Sequence, residues 1–87
     1  MREHAYRKEV LDRLARAGGH LNGIRKMVEE GRDCSEILVQ LAAVRAALER
    51  TGKIILREHV GHCLVDAVQE GDGEAIASLQ RAIDAFL

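Results

Sequence analysis

The chain has no proline and no tryptophan, and Tyr6 and Phe86 are its only aromatic residues. A core built without large rings must come from Ala, Leu, Ile and Val, as in packed helices. No apolar run approaches the ~20 residues that span a bilayer. The opening MREHAYRKEV lacks the apolar centre of a secretory signal, so the chain is expected to be cytoplasmic. Cysteine is scarce. Cys34 and Cys63 are too few for a secreted disulfide scaffold, and in a reducing compartment they read as thiols, metal ligands or redox sensors. Excess charge is lacking too, since the formal net charge of −1 argues against a general polycation but leaves room for a local basic face.

What is present is helical periodicity. Eighty-seven residues fit one domain, residues 1–87, that buries only about 60% of its unfolded surface and so gains from oligomerisation. Val10, Leu14, Ala17, Leu21, Ile24 and Val28 recur in steps of four and three, predicting a helix from near residue 5 to Glu30. Gly31 suits its C-terminal cap. Asp33 as N-cap, with Glu36 three residues later, predicts a capping box at the start of a second helix.

Ile37, Leu41, Val44, Leu48 and Ile55 carry that seam forward, with Thr51 where an apolar residue is expected. No stop signal follows until EGDG at 70–73, so this helix is roughly 35 residues long, as one uninterrupted element. Gly52 and Gly61 inside it cost about 1 kcal/mol each relative to Ala where exposed. Ile76, Leu79, Ile83 and Phe86 mark a short third helix. The expected fold is all-α, with three helices per chain and a long central one. The first helix can cover only part of the long stripe, so a dimer of antiparallel hairpins is the simplest way to bury the rest.

Within REHVGHC at 57–63, His59 and Cys63 stand four apart on one helical face. A third donor, Cys34, lies 25 positions before His59, roughly 37 Å along one helix. Metal–ligand bonds are only about 2.0–2.3 Å. Cys34 therefore cannot join His59 and Cys63 of its own chain unless the helix breaks. An antiparallel partner would bring Cys34 of one subunit to His59 and Cys63 of the other, twice per dimer. Two thiolates and an imidazole favour Cu(I) above all, although zinc accepts the same donors. The plainer reading makes Cys63 a small apolar core residue, His59 a surface histidine and Cys34 incidental. His62 points about 100° away and reads as a solvated residue or one supporting the ligands, and His4 and His20 read as surface histidines.

Basic residues are interleaved with acids along both long helices, mostly as solvated faces. Arg13, Arg16, Arg50 and Lys53 could form one patch between antiparallel helices. Nothing resembles a helix-turn-helix, and composition alone does not indicate DNA binding. No paired carboxylates, nucleophile–base pair or phosphate loop suggests an enzyme or a small-molecule substrate.

The stretches RLARAGGHLNGIRKMVEEGRDC, QLAAVRAALER and HVGHCLVDAV resemble the copper-sensitive operon repressors (CsoR), within the CsoR/RcnR group of bacterial regulators. The resemblance covers nearly the whole chain, and Cys34, His59 and Cys63 match that family's Cys-x24-His-x3-Cys copper ligands. It implies dimers that assemble into a flat homotetramer, operator DNA bound by the apo form, and release when Cu(I) bridges two subunits. Arg13 and Arg50 match positions used for operator binding, with Arg16 and Lys53 beside them. Two departures stand out. Asp33 replaces the tyrosine usual before the first cysteine, and Ser78 falls where a supporting glutamate is usual. EEGRDC is closer to the persulfide-sensing branch (CstR), which uses cysteines matching Cys34 and Cys63 but lacks the histidine. The nickel/cobalt branch has histidine in place of Cys63, and His4 could stand in for its extra N-terminal ligand. A copper-buffering protein that binds no DNA is the rival reading from another class.

Overall fold

The computed structural model describes residues 6–87, the side chain of His59 excepted. The expectation for His4 thus lies outside the described residues. Helix α1 spans Arg7–Glu29 and α2 spans Cys34–Ile55. A π-helical turn, Leu56–Val60, joins α2 to α3, Gly61–Glu70, and α4 runs Gly73–Phe86. The segments from Cys34 to Glu70 follow one another without a break, so they form the long central helix the periodicity predicts. Among the described residues there is no strand, and the fold is all-α as expected.

The glycine punctuation works as anticipated. Gly31 adopts φ +69°, which lets its N–H bond the Val28 carbonyl while Arg32 N–H reaches Met27 O at 2.9 Å. This paired closure satisfies carbonyls the helix end would otherwise leave open. Gly71, at φ +67°, repeats it between α3 and α4, and the Asp72 carboxylate then accepts from Ala75 N–H at 3.1 Å to start α4. The capping box at Asp33 does not form. Asp33 instead accepts from the Ser35 hydroxyl, and Glu36 is drawn back to Arg32, whose Nε lies 3.1 Å from its Oε2. A nearby cation outcompetes the backbone N–H for the Glu36 carboxylate.

Helix α1 packs antiparallel along α2, and the two seams divide. Val10, Ala17 and Ile24, each seven apart, are buried against α2, whereas Leu14, Leu21 and Val28 remain exposed. On α2, Val44 and Thr51 are buried and Leu38, Leu41 and Leu48 are not. Thr51 fits its apolar setting because its hydroxyl donates to Ala47 O at 2.9 Å, one turn back. Beyond it Ile54, not Ile55, takes the buried position. The molecule measures 54 × 24 × 16 Å, thin enough that no side chain among the described residues is completely enclosed.

Helix α4 folds back along α3 and brings Phe86 to Gly52. A methyl group at Gly52 would overlap the Phe86 ring. The glycine that weakens the long helix is what admits its one phenylalanine.

Candidate metal centre and nucleic-acid interface

Each proposed ligand sits on a different part of the central helix. Cys34 is exposed at the first turn of α2, directly after Asp33. His59 falls within the π turn, and Cys63 is half-buried in α3. The helix is continuous, as the sequence indicates, but one of its turns is π rather than α. A π turn closes its hydrogen bonds one residue later than an α turn and re-aims the chain beyond it, a device common at functional sites. Both cysteines are thiols rather than a disulfide. Among the described residues, no three His, Cys, Asp or Glu side chains converge on a metal-sized site. The helix that carries all three donors also keeps Cys34 far from the other two.

Tyr6, just before α1, is a neighbour the sequence reading missed. Burial is the largest influence on its phenol, followed by the negative charges of Cys63 and Glu58, and together they raise its pKa above the usual tyrosine value. The antiparallel hairpin explains this proximity, because the start of α1 must lie opposite the end of the paired stretch. Of the two departures from the copper-sensor pattern, Asp33 is engaged by Ser35 and Ser78 is exposed on α4. His62 is exposed as well.

The basic residues gather more closely. Arg13, Arg16 and Arg50 line one cleft of about 120 Å³ between α1 and α2, floored by Ala17 and Ala47 and flanked by His20. Lys53, one turn beyond Arg50, is exposed and does not line it. His20, read as a surface histidine, is half-buried and lies with Nε2 2.7 Å from Gln40 Oε1. Its signal was available in the spacing, since residues 13, 16 or 17, and 20 share a helical face. On the opposite side of the hairpin an apolar groove of about 460 Å³ runs past Leu21, Leu38, Leu41, Val44 and Leu48.

Residues 6–85 match the family model described as "Metal-sensitive transcriptional repressor". The chain is 40% identical over 78 residues to the copper-sensing transcriptional repressor CsoR of Bacillus subtilis strain 168, covering 90% of this chain and 75% of that one. Mycobacterial copper-sensing repressors are longer still, and the chain spans 66% of the one from Mycobacterium ulcerans. Among solved structures it is similar to CsoR with Cu(I) from Geobacillus thermodenitrificans NG80-2, with a TM-score of 0.85 and 38% identity over 99% of this chain and 91% of that one. It is also similar to the nickel-responsive transcriptional regulator InrS, with a TM-score of 0.75 and 39% identity over 100% and 99% of the two chains.

Proposed function

The chain belongs to the metal-sensitive transcriptional repressors, and from that premise we propose that it binds operator DNA when metal-free and releases it on binding Cu(I) between subunits. It is a regulator and not an enzyme. One observation carries the finer reading. Cys34, His59 and Cys63 lie along one continuous helix, and the exposed stripe of Leu41 and Leu48 calls for a second chain. Two such chains packed antiparallel through that stripe would place Cys34 of each beside His59 and Cys63 of the other. Residues 1–87 act as a single domain, and pairs of dimers form a homotetramer.

The donor set fits the ion. Two thiolates suit a soft monovalent cation, and the imidazole completes a three-coordinate shell. Cys34 on an exposed first turn is accessible from outside its own chain, as an intersubunit ligand must be. The similarity to CsoR with Cu(I) supports copper, whereas that to the nickel-responsive InrS supports metal sensing without favouring copper. Cu(I) would supply a link between two chains that thiol and imidazole cannot form alone. The chain's own part is mechanical. His59 sits in the π turn, so fixing its ring constrains the joint between α2 and α3, and through α2 the Arg13, Arg16 and Arg50 cleft with neighbouring Lys53.

A second reading uses Cys34 and Cys63 as sulfane-sulfur sensors. It is favoured by Asp33 and Ser78, neither of which supplies the usual support for a metal-bound histidine. His59→Ala separates the two. Operator binding by the variant is measured with Cu(I) in one series and inorganic polysulfide in the other. The copper reading expects retained Cu(I) binding through the thiols but no release of DNA. Release of the wild-type complex by polysulfide and not by copper would overturn it.

A further inference from the structure

We propose that His20 is a phosphate ligand of this chain, which in its protonated form joins Arg13, Arg16 and Arg50 in gripping one backbone phosphate of duplex DNA. The inference rests on the DNA-binding reading above and adds a residue and a proton to it. The cleft has the character of an anion site. Three guanidinium groups reach it from two helices, and no carboxylate among the described residues lines it. Neither Arg16 nor Arg50 meets an acid among the described residues, and Arg13 has only a long pair with Glu9. The Arg13 Nε is buried and makes no hydrogen bond, its ion pair with Glu9 at 3.8 Å being too long for one. Alanines at 17 and 47 keep the floor low, leaving about 120 Å³ for a compact anion.

His20 closes one side of this cleft. With Nε2–H donating to the Gln40 carbonyl oxygen at 2.7 Å, the other ring nitrogen of neutral imidazole can only accept, which suits no anion. Protonation turns that nitrogen into a donor and adds a fourth positive charge. The groups facing His20 are Arg13 and Arg16 from α1 and Gln40 and Arg50 from α2. A phosphate inserted among these groups sets negative charge beside the ring and favours its protonated form. DNA binding and proton uptake at His20 are therefore linked, and affinity rises as pH falls through the histidine range.

The test uses the full chain and a fluorescent duplex that it selects from a random-sequence library. Anisotropy titrations run at pH 6 and pH 8 at fixed salt, and at pH 6 across a salt series. Wild type is expected to bind several-fold tighter at pH 6 than at pH 8. His20→Gln should lose most of that ratio, and its salt slope should be shallower by about 0.9. A pH ratio equal in both proteins, or absent in wild type, overturns the proposal while leaving the repressor reading intact. If wild type selects no duplex, both fail. Should His20→Gln not fold, NMR titration of the wild-type His20 ring with and without duplex decides, since its midpoint must rise on binding. A midpoint moved by inorganic phosphate but not by duplex assigns the cleft to a free anion and overturns the proposal.

Discussion

Tyr6 shows how a single residue can report on a site it does not belong to. It is the only tyrosine in the chain, so phenolate absorbance follows it alone. Burial and the charges of Cys63 and Glu58 favour its neutral form, and its titration midpoint should lie above the usual value of about 10. Cys63→Ser removes one of those charges and should bring the midpoint down. A wild-type midpoint at or below about 10 would contradict the placement of Tyr6 beside Cys63. The sign also fixes a stability trend. The neutral phenol is favoured by the fold, so this contribution is full below about pH 10 and is lost as pH rises through the folded-state value. The sequence reading named Cys34, His59, Cys63, Arg13, Arg16, Arg50 and Lys53 but passed over Tyr6 and His20. Tyr6 meets Cys63 across the hairpin, which spacing along one helix cannot reveal, whereas the spacing of 13, 16 and 20 did place His20 on the arginine face.

At the scale of elements, Gly52 and Phe86 form the joint between α2 and α4. Gly52→Ala would ordinarily stabilise a helix by about 1 kcal/mol. Here the added methyl overlaps the Phe86 ring, so the substitution should destabilise by about 1–3 kcal/mol as the ring is displaced. In a Phe86→Ala background the sign should reverse. Denaturation of all four chains at one protein concentration gives the cycle, the concentration held fixed because association shifts apparent stability. A destabilisation of equal size in both backgrounds would show that Phe86 is not the cause. Helix order, the Gly31 cap and the EGDG stop were legible because helix period and glycine chemistry are local. The π turn was not, because it adds one residue to a turn without any distinguishing residue type. Asp33 does hold the N-cap position, but the capping box around it was misread for a related reason, since Arg32 competes for Glu36 and a motif of four residues does not include that competitor.

For the whole molecule, the half-exposed seams matter most. A 16 Å thick chain with Leu14, Leu21, Leu41 and Leu48 open to solvent has the two faces of a bundle and only one of them covered. The basic cleft lies away from the proposed ligands, so DNA and metal affinities should separate in the isolated protein. Arg13→Ala or Arg50→Ala should weaken operator binding at least tenfold and leave Cu(I) affinity in DNA-free protein unchanged, as parallel anisotropy and competition titrations would show. Unchanged DNA binding in both would move the interface to another face.

The central claim is that one Cu(I) is held by Cys34 of one chain and by His59 and Cys63 of its partner. Mixing refolded Cys34→Ala and Cys63→Ala chains tests it most directly. A mixed dimer pairs the intact Cys34 of one chain with the intact His59 and Cys63 of the other, restoring one of its two sites. Cu(I) titration of the purified mixed dimer, read by competition with a chromophoric chelator, should give one full-affinity ion per dimer, and each variant homodimer none. Full-affinity binding by either homodimer, or none by the mixed dimer, would contradict the account.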